Sequence, residues 1–289
     1  MRTRSGEVDA KRSGSKRKTS SSSNKANTIP QHKNKKARSK PVCEPSCDCE
    51  TVVVGRTELL AVTRPAAREE HSSAICFVKK PTDLKKKIKS QEVQLAVWRR
   101  PPPAFVTALS DPTLEPEGLP EWIGMVTPGT VKTMKKELMA QEKRALSDDD
   151  IDDLVNEVQL LVSTFSMVSG SKSVFVKLEV VDDDGCAFWH QDCVDFRLVA
   201  TYRGPCTECV HPDFSKATLR RRQYDSKHAQ SLSHHDVALF KGRGETQEGD
   251  SLLNHPGVVH RSPRIEGSGI YRVVLVLDIP AAWHLEQME

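Results

Sequence analysis

No apolar run in the chain approaches the roughly 18 residues of a membrane span, and the first residues lack the short apolar stretch of a secretory signal. The expectation is a soluble, intracellular protein with no membrane partner. Apolar residues are sparse altogether, 37% of 289, and the deficit is concentrated at the front. Residues 1–40 are nearly devoid of aromatic and branched apolar side chains, so they cannot bury enough surface to offset the entropy of ordering them. Acidic residues are scarce there too. In this segment 13 Lys/Arg stand against Glu7 and Asp9, while the rest of the chain carries 30 Lys/Arg and 37 Asp/Glu. The overall charge of +4 therefore conceals a basic tail on an acidic body. An acidic body argues against nucleic acid as the main substrate of the folded part.

Within the tail, KRSGSKRK at 11–18 and KNKKARSK at 33–40 have the form of nuclear-import signals. Their partner would be an import receptor or nucleic acid, which places the protein in the nucleus or cytoplasm. The alternatives are a merely solvated tail and an organelle transit peptide. Eight cysteines in an intracellular chain point to reduced thiols or metal ligands rather than a disulfide framework. Cys43, Cys47 and Cys49 lie close together in CEPSCDCE with no fourth ligand beside them, and a linker with incidental thiols is the simpler reading. Residues 1–50 are thus expected to be a disordered basic tail and linker, and 51–289 a single folded domain.

The domain changes character at Gly170. Before it, TVVVGRTELLAV at 51–62 and SAICFVKK at 73–80 read as short strands or core segments, and VQLAVWRR at 93–100 is another apolar run, ended by Pro101, Pro102 and Pro103. Residues 129–146 are helical and charged. A second helix at 147–168 starts on Ser147 as N-cap, and Ile151, Leu154, Val155, Val158, Leu161 and Val162 give it one apolar face. The run Asp148–Asp150 is explained better by the first helical turn than by a metal. After it come SVFVKLEVV, FRLVATY, HDVALFKG, GVVH and IYRVVLVLD, strand-like runs between turn residues. Residues 171–280 therefore read as a β sandwich or small barrel. IYRVVLVLD is apolar on both faces, so the helices at 129–168 are expected to cover one of them.

In AFWHQDC, His190 and Asp192 lie two apart and on an extended backbone point to one side. Two ligands hold no catalytic metal, but GVVHRSP supplies His260 on a later strand. Two histidines and one carboxylate leave three positions open on a metal, a set suited to non-haem Fe(II) with a chelating cosubstrate and O₂. Zinc accepts the same ligands, so the metal stays open. A 2-oxo acid with a distal carboxylate, such as 2-oxoglutarate, needs a cation at its far end, and arginine's planar fork suits that. Arg272 is the best placed, with Arg261 and Arg264 as fallbacks. Arg197, Tyr202 and Lys241 are candidates for the pocket wall. His234, His235 and Asp236 read as the start of a hairpin, and His211 and His255, each before a proline, as loop residues.

The order H-x-D, V-A-L-F-x-G, H, G-x-x-R-x-x-L-x-L resembles the double-stranded β-helix of iron- and 2-oxoglutarate-dependent oxygenases. That resemblance implies an α+β fold with a jelly-roll, cupin-like core and covering helices N-terminal to it. It also implies His190, Asp192 and His260 as iron ligands, Arg272 as 2-oxoglutarate anchor, and a dioxygenase of unknown substrate. A closer resemblance, over residues 75–280, is to a largely bacterial domain family of unknown function that shares W-R-R (Trp98–Arg100), C-x-x-x-H-x-D (Cys186–Asp192), T-Y-x-G-P (Thr201–Pro205), K-G (Lys241, Gly242) and H-R-S-P (His260–Pro263). It implies a link to metal homeostasis, with a non-catalytic zinc or iron binder as the alternative to an enzyme. This chain departs from it after Pro205, where Cys206 and Cys209 stand in place of a glycine and a tryptophan. With Cys193 they make a second thiolate metal site conceivable. Two small residues beside a turn is the blander reading.

Overall fold

IYRVVLVLD does become a strand apolar on both faces, and that property sets the layers of the molecule. The computed structural model describes residues 74–221, 228–244 and 257–285. Every described residue belongs to one compact unit. The basic clusters, Cys43 to Cys49, the strand or core segment expected at 51–62 and His255 lie outside the described residues.

The strands are β1 (Ile75–Val78), β2 (Leu95–Trp98), β3 (Trp122–Val126), β4 (Val174–Val181), β5 (Phe196–Arg203), β6 (Glu208–Val210), β7 (Ala229–Ser231), β8 (Val237–Lys241), β9 (His260–Arg261) and β10 (Arg272–Asp278). The helices are α1 (Pro81–Ile88), α2 (Val106–Leu109), α3 (Lys132–Met139), α4 (Asp148–Ser169), α5 (Pro212–Arg221) and α6 (Ala282–Leu285). A large sheet runs β1-β2-β8-β5-β10-β4-β3, and a small one β7-β6-β9. Pairing is antiparallel throughout except for β1 with β2.

Strand parity sorts the side chains. On one face of the large sheet Val174, Val176, Leu178, Leu198, Ala200, Tyr202, Val237, Leu239, Val273, Leu275 and Leu277 share a core with the apolar stripes of α1, α3 and α4. On the other face Val199, Ala238, Phe240 and Val274 pack with Cys209 of β6 and with Val258, two residues before His260. The small sheet therefore lies over the second face. Its outer side, Trp189, Val210 and Val259, meets Leu219 of α5. The result is a mixed α+β fold with a layer of helices, a large and mainly antiparallel sheet, and a small sheet.

α4 forms as its sequence predicts. Ser147 Oγ accepts the Asp150 N–H at 3.1 Å, Asp150 Oδ2 accepts the Ser147 N–H at 3.1 Å, and Gly170 closes the helix at φ 77°, a left-handed cap open to glycine. The charged helix expected over 129–146 is shorter, Lys132–Met139, and enters the core through Met134 and Leu138. α1, β3, β6 and α5 have no counterpart among the sequence expectations. Three- to five-residue strands carry too little periodicity to read, and α1 is a lysine-rich segment whose apolar contribution is Leu84 and Ile88. No described helix is long and apolar enough to cross a membrane.

Candidate metal centre

His190, Asp192 and His260 converge. Their candidate ligand atoms all lie within 4.8 Å of one another, and they are the one such group of three or more among the described residues. Backbone pairing produces the convergence. His190 and His260 form an antiparallel bridge, each N–H donating to the other's carbonyl at 3.0 Å. Directly opposed residues project to the same side, and the two rings stand 4.5 Å apart. Parity agrees, since the preceding residues, Trp189 and Val259, both point outward to α5.

Both imidazoles are held in one tautomer. His190 Nδ1 donates to the Phe188 carbonyl at 2.8 Å and His260 Nδ1 to the Val258 carbonyl at 3.2 Å. A carbonyl only accepts, so the proton of each neutral ring is on Nδ1 and the lone pair on Nε2. His260 Nε2 lies 3.3 Å from Asp192 Oδ2, and His190 Nε2 lies 3.6 Å from Asp192 Oδ1. Burial holds the His260 pKa below its usual value, although the Asp192 carboxylate pulls the other way. The neutral, ligating form is therefore favoured. Asp192 is 8% exposed and its Oδ2 accepts no hydrogen bond. A buried carboxylate oxygen without a donor, facing the lone pair of His260 Nε2, is costly. A cation among the three would satisfy all of them, so the donor set fits a divalent metal with nitrogen and oxygen ligands.

The loop carrying Asp192 is clasped by backbone. Arg243 N–H donates to the Asp192 carbonyl at 2.9 Å, and Gly242 N–H to the Asp195 carbonyl at 3.1 Å. A Cβ on Gly242 would stand 1.9 Å from the Val194 oxygen, so only glycine admits this approach.

A sequence profile described as "Protein of unknown function (DUF1826)" matches residues 79–278. The chain belongs to this DUF1826 family. No curated protein matches the sequence. Among solved structures, the dioxygenase for auxin oxidation 1 of Arabidopsis thaliana, described as a 2-oxoglutarate complex, is similar at 10% identity and a TM-score of 0.38, covering 72% of this chain and 92% of that one. The dioxygenase for auxin oxidation of rice is similar at 13% identity and 0.38, over 70% and 77%. A prolyl-4-hydroxylase of Pseudomonas putida follows at 8% and 0.27, over 63% and 98%. Similarity at this level transfers neither a site nor a substrate to this DUF1826 chain.

Arg272 opens β10 on the same face as Val274 and is 2% exposed. Its Nε donates to the Pro205 carbonyl at 2.8 Å, and no carboxylate of the described residues lies within 4.0 Å of it. Burial pulls its pKa down, against the pull of Cys206 and Glu179. The turn before it is built around this side chain. Gly204, at φ 76°, brings its backbone so near that a Cβ would meet Arg272 Cγ at 2.8 Å. Arg261 is occupied by Glu208 and lies over the Trp189 ring, and Arg264 is exposed.

The other candidates separate. Arg197 faces the site and reaches Asp192 Oδ1 at 2.8 Å. Tyr202 lies on the opposite face of the sheet, its hydroxyl 3.1 Å from Glu157 Oε1 on α4. Lys241 also turns to the helical layer, where Nζ donates to the Ser90 carbonyl at 2.7 Å. The cysteines do not assemble. Cys193 is exposed and accepts from Arg243 Nε at 3.1 Å and Nη2 at 2.6 Å. Cys206 and Cys209 are buried, and burial pushes both thiols up to about 12, which disfavours the thiolate a metal needs. Asp278 had no part in the sequence expectations, and Gly242 stood there only as a motif residue without a role. Asp278 keeps the parity of Arg272 along β10, and that signal was available.

Proposed function

We propose that this DUF1826 chain is an Fe(II)- and 2-oxoglutarate-dependent dioxygenase acting on a substrate not identified by its sequence, with the two facing sheets as a jelly-roll core and the helices of 81–169 as its cover. The observation that carries the reading is the pairing of two unsatisfied groups on one face of the large sheet. One is the His190–Asp192–His260 set with its orphaned Asp192 oxygen. The other is Arg272, a buried guanidinium with no carboxylate of the described residues within 4.0 Å. A buried cation without a counter-ion is unstable in isolation, and a bound carboxylate would neutralise it bidentately. A dicarboxylate with a 2-oxo acid at one end would satisfy both groups at once.

In this reading His190, Asp192 and His260 hold the metal. Bound iron supplies O₂ activation coupled to oxidation of the 2-oxo acid. The chain's own part is positional. The Phe188 and Val258 carbonyls orient the two rings, the Gly242 contact holds the Asp192 loop, and the Gly204–Pro205 turn aims Arg272. Cys206, protonated and beside Arg272, adds no competing charge. Isothermal titration tests the assignment. Fe(II), or Co(II) in its place, should bind wild-type protein and fail in Asp192→Ala and His260→Ala. Arg272→Ala should keep the metal and lose 2-oxoglutarate affinity. A non-catalytic metal binder is the alternative, and retention of metal with no affinity for 2-oxoglutarate in any variant would favour it.

A further inference from the structure

Behind the triad stands a line of charged groups that take no part in ligation. Arg197 leaves β5 toward the site. Its Nε and Nη2 donate to the two oxygens of Asp278 at 2.8 and 2.7 Å, and its Nη1 reaches Asp192 Oδ1 at 2.8 Å. Asp278 ends β10 at 2% exposure, and its Oδ2 lies 3.5 Å from His284 Nε2 in α6. His284 is fully buried and stacked on Phe175 with centroids 4.0 Å apart. Its Nδ1 accepts the Ala281 N–H at 2.8 Å, so the proton of the neutral ring is on Nε2 and faces Asp278.

This line occupies one oxygen of Asp192 and leaves the other. A free carboxylate binds a cation through one oxygen or both. Oδ1, 3.6 Å from His190 Nε2, is engaged by Arg197, whereas Oδ2, 3.3 Å from His260 Nε2, is the oxygen without a donor and the one left to ligate. Charge balance explains why Asp278 accompanies the arginine. A guanidinium alone beside the site would repel a cation, whereas the bidentate Arg197–Asp278 pair brings its donor without net charge.

We infer that Arg197, Asp278 and His284 form a positioning chain that holds Asp192 as a one-oxygen ligand, so that the triad fills three coordination positions rather than four. The inference rests on the metal reading above and adds what sets the coordination number. It also gives a role to α6, which lies beyond residue 278, where the family match ends.

The test compares full-length wild type, the charge-neutral double variant Arg197→Gln/Asp278→Asn, and Arg197→Lys. Calorimetry gives the Co(II) affinity, visible absorption of the Co(II) form gives its coordination, and thermal unfolding verifies the fold. The double variant should unfold cooperatively, bind Co(II) about 10-fold to 100-fold more weakly, as loss of an outer-shell partner does, and show a changed d–d spectrum as the released carboxylate chelates. Arg197→Lys keeps the charge but lacks the fork that spans both carboxylates, so it should not rescue either property. It decides the matter if the double variant does not fold. Affinity within about twofold of wild type, with an unchanged spectrum in a folded variant, overturns the positioning chain. Wild-type protein that binds no Co(II) overturns the metal reading itself, and the wild-type arm tells the two failures apart.

Discussion

His190 and His260 sit opposite each other on a β bridge and exchange both backbone hydrogen bonds, each at 3.0 Å. Seventy residues of chain separate them, yet the bridge leaves their rings no choice but one side of the ladder. The site is thus set by backbone pairing, and side-chain contacts refine it. Variants that disturb the backbone near the bridge should therefore act on the site as strongly as ligand replacements.

Gly242→Ala is the sharpest such variant. Its Cβ would collide with the Val194 oxygen at 1.9 Å and approach the Asp192 oxygen at 2.9 Å, backbone atoms that cannot step aside without moving the loop. A cost of about 1–3 kcal/mol is expected for such overpacking, together with loss of metal affinity. Denaturant unfolding and metal titration measure the two. A variant as stable as wild type with full affinity would contradict the role given to this contact.

Glu157→Ala should be among the most destabilising substitutions in the helical layer. Glu157 accepts from Arg100 Nη1 at 2.7 Å and bonds Arg100 Nη2 as well, and both side chains are 7% exposed. Its removal leaves the guanidinium buried without its counter-ion, a loss of about 3–5 kcal/mol. Urea denaturation gives the value. A loss under ~1 kcal/mol would mean that the pair carries little of the packing between α4 and the sheet.

Acid should weaken the fold before the carboxylates titrate. His235, beside Arg100 and His234, has its pKa pushed down by burial to about 4, from 6.5. The unfolded chain then takes up a proton that the folded one refuses, so stability falls as pH drops from about 6.5 toward about 4. His235 also holds φ 67°, a conformation asparagine tolerates. His235→Asn should therefore fold and flatten the stability profile between these pH values. An unchanged slope would assign the acid lability elsewhere.

Thiol reactivity should divide the cysteines by burial. Cys186 and Cys193 are exposed and should react with a maleimide in the native protein. Cys206 and Cys209, pushed up to about 12 by burial, should react only on unfolding. Cys206→Ser/Cys209→Ser should leave metal stoichiometry unchanged. One fewer metal in that variant would restore the thiolate site that the arrangement disfavours.

The candidate ligands were legible in the sequence because they obey strand parity. His190 and Asp192 are two apart, and Arg272 opens a strand whose alternation places it with Val274. The same rule separates Arg197 from Tyr202, five apart on β5 and hence on opposite faces, and Phe240 from Lys241 on β8. Treating Tyr202 and Lys241 as wall residues overlooked it. Other features had no local signal. The Arg197–Asp278 pair joins residues 81 apart, and nothing near either one names the other. Gly242 matters through a contact with another segment's backbone, which a single sequence does not display. β6 and α5 were lost because three residues carry no period and because the apolar part of α5 is confined to its packing against β6.

The most direct measurement is an anaerobic titration of metal-free wild-type protein with Fe(II) and then 2-oxoglutarate, followed by visible absorption. The expected result is a weak charge-transfer band that needs both additions, vanishes in His260→Ala, and requires much more 2-oxoglutarate in Arg272→Ala. Tight metal binding with no band at any 2-oxoglutarate concentration would contradict the dioxygenase assignment.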